Sequence, residues 1–152
     1  MMVAQKLYEG IEIKGDTVGL ITYMRTDSVN ISQEAINTTR KVIEQDYGKE
    51  YLPESPRKFA TKAKNAQEAH EAIRPTHPDY KPSNMRNYLD DDQYKLYDLI
   101  WKRMLACQMS QAIIDQVIAI IEDNNNNATL RANGSTIRSV SYTHLRAHET
   151  RP

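Results

Sequence analysis

Gly19–Ser28, "GLITYMRTDS", changes character halfway along. Gly19 to Thr22 read as a short extended piece entering a core, because apolar and β-branched residues suit a pleated, half-buried surface. Tyr23 then opens a polar run with Arg25, Thr26, Asp27 and Ser28. In a strand, residues two apart share a face, so the pattern predicts that Tyr23 and Arg25 project together. A phenol titrates near pH 10 and is a poor nucleophile at neutral pH unless it is activated or matched to a good electrophile. A guanidinium beside it can hold a phosphate bidentately and stabilise the charge that builds as phosphorus becomes five-coordinate. Taken alone, a half-buried tyrosine next to a surface ion pair is the commoner explanation of such a segment.

Working outward, the flanks predict helices joined by short extended pieces. Residues 2–9, "MVAQKLYE", read as a helix ending at Gly10, with Gln5 and Glu9 on one face and Val3 and Leu7 on another. "IEIKGDTVGLITY" alternates and turns at Lys14-Gly15-Asp16. Ser32 is placed to cap a helix over "QEAINTTRKVIEQDY", with Ile31 and Ile36 set as a hydrophobic staple and Gly48 as the stop. Residues 49–66 read as irregular. From Ser55 to Gln67 the chain carries Arg57, Lys58, Lys62 and Lys64 and no acid, a bias that fits either a solvated loop or nonspecific phosphate contact. A short helix is expected over "AQEAHEAI", ending near Arg74 because Pro75 disfavours helix before it. His77 falls in a proline-punctuated surface loop. Asp90, Asp91 and Asp92 then open a long helix whose Tyr97, Ile100, Trp101, Met104 and Leu105 follow the spacing of a buried stripe. After Ser110, "DQVIAIIED" and "NATLRANGSTIR" read as a β-hairpin around an asparagine tract. The fold class expected is α+β, mainly α, with a helical domain over residues 1–112 and the first strands of an incomplete β-rich domain over 113–139.

Composition narrows the function classes little. The 152 residues carry 20 basic and 20 acidic side chains, so overall charge gives no reason to expect a nucleic-acid partner. The single cysteine, Cys107, excludes an internal disulfide framework and reads as a packing residue in a reducing compartment. No apolar run reaches the ~18 residues a membrane span needs, so the expectation is a cytoplasmic protein without membrane contact.

The last residues call for a different explanation. "VSYTHLRAHET", residues 140–150, offers His144 and His148 at a spacing that suits two metal ligands on one helix face. The same eleven residues are also one reading frame of the transposase adaptor used in sequencing libraries. The expectation is that the reading frame enters adaptor near Arg138 or Ser139, so residues 140–152 carry no evolved site and no metal ligand. Different codons across 140–150 would sink that reading.

"GLITYMRTDS" closely resembles the active-site segment of type IA DNA topoisomerases. "AQKLYEG" before it, and "AHEAIRPT" and "DDDQYKLYDLIWKRMLACQMSQAIIDQV" after it, are similar to that family in the same order, over roughly residues 1–138. The methionine of "TYMRTDS" and the arginine of "HEAIRPT" favour the bacterial topoisomerase I branch over its topoisomerase III relatives; a reverse-gyrase topoisomerase half is the alternative parent. The resemblance implies that Tyr23 is the nucleophile of a 5′-phosphotyrosine intermediate and that Arg25 holds the scissile phosphate. It implies that His70 links tyrosine, aspartate and phosphate by hydrogen bonding, with Asp27 as its partner. Thr22 and Thr26 flank the nucleophile, Gln5 and Glu9 match helix positions at the same site, and Arg74 joins them as a DNA-contacting residue. The partner implied is single-stranded or negatively supercoiled DNA, relaxed without ATP by a monomeric, nucleoid-associated enzyme. The family's magnesium ion belongs to an acidic cluster in another domain, and nothing in this sequence resembles it. The β-rich residues 113–139 would begin the family's arch, and the chain alone is expected to be inactive. A helical nucleic-acid-binding module without covalent chemistry is the principal rival. A tyrosine recombinase fits poorly, since His70 and Arg74 are four apart and follow Tyr23.

Overall fold

A two-residue turn sets the entry to the tyrosine segment. Lys14 and Gly15 both take positive φ, 54° and 93°, the left-handed pairing whose twist matches that of the strands it joins. It folds β1 (Ile11–Ile13) onto β2 (Asp16–Val18) in antiparallel register, Ile11 opposite Val18 and Ile13 opposite Asp16. The computed structural model describes residues 2–59, 70–122 and 129–139. It divides into two units, Met1–Ser110 and Gln111–Pro152, and the secondary structure is mixed α+β, with the described helices all in the first unit.

In the first unit, α1 (Met2–Glu9) buries Leu7 completely and ends where Gly10 N–H reaches Lys6 O at 3.0 Å. Helix α2 (Gln33–Asp46) starts at Ser32, whose side-chain oxygen accepts from Ala35 N–H, and it buries Ile36, Val42 and Ile43. Its stop is Gly48, at φ 112°, with Tyr47 and Gly48 N–H both donating to Ile43 O. A 3-10 turn, Lys49–Tyr51, interrupts the segment that the sequence leaves irregular. Short α3 (Pro82–Met85) runs into a second 3-10 turn, Arg86–Tyr88.

Helix α4 (Asp91–Gln108) is the spine of the unit and packs against α1, α2 and α3. Its capping box is complete. The Asp90 side chain accepts from Gln93 N–H, and the Gln93 side chain accepts from Asp90 N–H. Tyr97, Trp101, Met104 and Leu105 are buried as the spacing predicts, whereas Ile100 is half-buried. The buried polar tips are satisfied by the proline loop: Tyr97 O–H donates to Tyr80 O at 2.7 Å and Trp101 Nε1–H to Pro78 O at 2.8 Å. Burial, with the nearby Asp79 and Tyr80, pushes the Tyr97 phenol well above its ordinary range. Cys107 is half-buried, donates to Met104 O, and has its thiol pushed up by burial.

One expected element differs. Of the helix read over residues 66–73, positions 66–69 lie outside the described residues, and 70–73 are not helical. Their backbone groups are used elsewhere, since Ala72 N–H donates to Asn30 O at 2.7 Å and Ala72 O accepts from the Thr22 hydroxyl. Tertiary partners outcompete a helix that Pro75 would in any case cut short.

The second unit is an antiparallel hairpin of β3 (Ile113–Glu122) and β4 (Thr129–Ser139), in register from Ile114 opposite Ile137 to Glu122 opposite Thr129. A register shift falls between Ile113 and Ile114. Every residue of β3 is exposed, including Val117, Ile118, Ile120 and Ile121. The asparagine tract, Lys62, Lys64 and the adaptor-like tail lie outside the described residues.

Candidate active site

Two chain segments some fifty residues apart are sewn together around Tyr23. Ile21 forms an antiparallel bridge with Pro75. Thr22 N–H donates to Arg74 O at 2.9 Å, and Thr76 N–H donates to Leu20 O at 3.0 Å. Side chains reinforce the seam. The Thr22 hydroxyl donates to Ala72 O at 2.7 Å and accepts from Arg74 N–H at 2.9 Å, while the Thr76 hydroxyl donates to Gly19 O at 2.6 Å. Leu20 and Ile21, at most 1% exposed, anchor the seam in the core. Leu20 N–H also donates to Leu7 O, which ties α1 to the same seam.

Beyond Ile21 the extended reading of the tyrosine segment fails. The chain bends at Thr22, Met24 and Arg25, so the alternation that would place Tyr23 and Arg25 on one strand face does not apply. No pairing partner continues past the Ile21 bridge among the described residues, and local hydroxyl bonds take over. Ser28 N–H donates to the Thr26 side chain, and Asn30 N–H to the Ser28 side chain, both at 3.1 Å. Tyr23 and Thr26 are half-buried; Arg25 and Asp27 are exposed.

Tyr23 sits in a three-ring cluster. His70, brought in by the second segment, lies 5.5 Å from it between ring centroids, with the planes tilted by 35°. Tyr8, on the last turn of α1, meets it edge-on at 5.4 Å. Sequence reading pointed to His70 and passed over Tyr8. The one available signal is Gly19, where an added Cβ would lie 2.6 Å from the Tyr8 carbonyl oxygen. A residue without a side chain is needed for the tyrosine segment to cross that close to the end of α1.

The other candidates are placed differently. Gln5 and Glu9 are exposed on α1 and hydrogen-bond to each other at 2.7 Å. Among the described residues no hydrogen bond joins Asp27 to His70. The Arg74 side chain is 12% exposed and acts as a clamp, bonding Glu71 at 2.5 Å and Pro75 O at 2.8 Å, with Ser32 at 3.5 Å. Glu71 in turn accepts from Ser32 N–H at 2.8 Å, so the clamp also holds the start of α2. Burial would raise the Glu71 carboxyl, but the Arg74 charge and hydrogen bond, with those from Ser32, together hold it below the ordinary glutamate range. Among the described residues no three His, Cys, Asp or Glu side chains gather as a metal-binding group. No described helix is long and apolar enough to cross a membrane.

The arrangement therefore presents a half-buried phenol, an adjacent imidazole and an exposed guanidinium two residues along, on a seam that fixes the backbone beneath them. A family model described as DNA topoisomerase matches residues 1–152. The DNA topoisomerase 1 of Rickettsia bellii is 56% identical over 137 residues, covering 90% of this chain and 17% of that protein. That of Campylobacter jejuni is 54% identical over 113 residues, covering 74% of this chain and 16% of that protein. Among solved structures, full-length topoisomerase I from Thermotoga maritima aligns with a TM-score of 0.81 at 35% identity, over 96% of this chain and 22% of that one. The chain thus spans less than a fifth of the length of these two curated relatives.

Proposed function

The chain belongs to the DNA topoisomerase family, and on that premise we propose that it carries the nucleophile of a type IA enzyme of the bacterial topoisomerase I branch, with Tyr23 as that nucleophile. The observation that supports this most is the placement of the Tyr23 ring between His70 and Tyr8, at the mouth of a seam whose next exposed cation is Arg25. In the reaction, the Tyr23 oxygen attacks a backbone phosphorus of single-stranded DNA. The new bond is phosphorus to phenolic oxygen, and the bond that breaks is phosphorus to the deoxyribose 3′-oxygen. The phenolic proton is given up, and a proton is delivered to the leaving 3′-oxygen, so the exchange is balanced without ATP. Arg25 holds the non-bridging oxygens as negative charge builds on them. His70 links the phenol and the phosphate by hydrogen bonding, with Asp27 as its partner once DNA is bound. Thr22 and Thr26 fix the loop around the phosphate, and Gln5, Glu9 and Arg74 support it from α1 and the clamp.

Reversal of the step by the free 3′-hydroxyl reseals the strand, and passage of a second strand between the two steps relaxes negative supercoils. These last events belong to the parent protein, as does the magnesium ion, for which this chain is assigned no ligand. We take the parent to act as a monomer on nucleoid DNA in the cytoplasm. The test is a Tyr23→Phe variant of the parent, mixed with a single-stranded oligonucleotide and then denatured. Loss of the covalent adduct with retained noncovalent binding supports the proposal. An adduct that survives the substitution overturns it, and so does a parent that binds DNA yet forms no adduct.

A further inference from the structure

The tyrosine site leaves one neighbouring feature unexplained: a cleft of about 350 Å³ between residues 29–36 and 57–59. Its walls include Val29, Asn30 and Ile36 on one side and Arg57, Lys58 and Phe59 on the other. Phe59 is the chain's single phenylalanine and is 44% exposed; Val29, opposite, is 39% exposed. A large apolar ring held open to solvent beside two cations has the make-up of a base-stacking platform with phosphate contacts beside it. The cleft is built from fixed parts. Gln108, wholly buried at the end of α4, donates to Arg57 O at 3.0 Å and accepts from Arg57 N–H at 3.2 Å, fixing the backbone that leads to Phe59. Asn30 O is held by Ala72 N–H, so the other wall is tied to the segment that carries His70.

We propose that this cleft binds the DNA strand on the 3′ side of the scissile phosphate, stacking a base on Phe59 and neutralising phosphate with Lys58 and Arg57. The assignment rests on the reading of Tyr23 as nucleophile. A 5′-phosphotyrosine bond keeps the downstream strand attached to Tyr23, while no covalent bond holds the 3′-hydroxyl strand. The retained strand needs a seat on the unit that carries the tyrosine. Val29 lies six residues beyond Tyr23 on the same segment, so the cleft begins within about 20 Å of the attachment point, the extended reach of that many residues. Charge complementarity selects the occupant: among the described residues the cleft's charged side chains are Arg57 and Lys58, both cationic.

The test has two arms. The purified 152-residue chain is titrated with a single-stranded oligodeoxynucleotide of about 12 nucleotides containing 2-aminopurine, whose fluorescence is quenched on stacking. Phe59→Ala is expected to weaken binding at least about 5-fold and to remove the quench, while Phe59→Tyr keeps both. Lys58→Ala is expected to lower the slope of log affinity against log salt by about 0.7. Absence of single-strand binding by the unsubstituted chain, binding indifferent to Phe59→Ala, or equal binding of a duplex overturns the proposal. In the second arm, the covalent adduct of the parent is formed on oligonucleotides carrying a photoreactive thymidine on either side of the cleavage site. Crosslinking to the peptide containing Phe59 is expected from the 3′ side. An adduct that forms and crosslinks there from the 5′ side alone, or from neither side, overturns the cleft while leaving Tyr23 in its role. Loss of the adduct's dependence on Tyr23 would instead strike the underlying reading.

Discussion

Thr22 shows how much one side chain does at this site without taking part in chemistry. Its hydroxyl serves as donor to Ala72 O and acceptor from Arg74 N–H, and so fixes the distance between the segment bearing Tyr23 and the one bearing His70. Thr22→Val keeps the shape but leaves a half-buried carbonyl and N–H without partners, at an expected cost of about 1–3 kcal/mol in denaturant unfolding of the chain. Thr22→Ser, which can make the same bonds, should recover most of that loss. Gly19 acts by absence: the carbonyl of Tyr8 occupies the space a Cβ would need. Because that obstacle is backbone, Gly19→Ala is expected to destabilise by about 1–3 kcal/mol and to displace Tyr8 from Tyr23. Chemical-shift changes at the two tyrosine rings would report the displacement, and unchanged spectra with unchanged stability would contradict the close approach. Neither contact could be read from the sequence. A threonine before a tyrosine carries no mark of a partner fifty residues away, and Gly19 signals a close approach without naming the helix end that makes it.

Among the elements, helices were far more legible than the segments between them. Periodicity and capping residues sufficed for α1, α2 and α4, because a helix satisfies its backbone from within and its signals lie within four residues. The Lys14-Gly15 turn was legible for the same local reason. The two segments that form the seam were misread, one as a strand continuing through Arg25 and the other as a helix through Ile73, because their hydrogen-bond partners are each other. The clamp of Glu71, Arg74 and Ser32 makes this pairing pH-sensitive. The Glu71 carboxyl lies below its ordinary range in the native state, so its contribution is full at pH values above that range and is lost as pH falls through it toward the depressed native value. Unfolding followed from neutral to acid pH should show this loss in the unsubstituted chain and a flatter profile in Glu71→Gln. Identical acid profiles would contradict the clamp. In α4, Trp101→Ala removes a buried ring and the bond to Pro78 O, with an expected loss of about 3–5 kcal/mol.

Across the whole molecule, the first unit has a buried core, whereas no described residue of the second is buried among those whose burial is given. A two-stranded hairpin is at best marginal in water, and β3 exposes Val117, Ile118, Ile120 and Ile121. In relatives several times longer than this chain, such a surface has other parts of the protein available to cover it. The candidate site gathers a phenol, an imidazole and a guanidinium, and the magnesium ion is proposed to belong to the rest of the parent. The 152-residue chain is accordingly expected to leave a supercoiled plasmid unrelaxed, and relaxation by the purified chain would contradict that division. The central claim is that Tyr23, and not its ring neighbour Tyr8, receives the DNA. It is tested most directly by trapping the parent's covalent adduct, digesting protein and DNA, and mapping the nucleotide-bearing peptide by mass spectrometry. A 5′-linked nucleotide on Tyr23 is expected; a nucleotide on Tyr8 or any other residue, or one linked through its 3′-phosphate, would overturn that assignment.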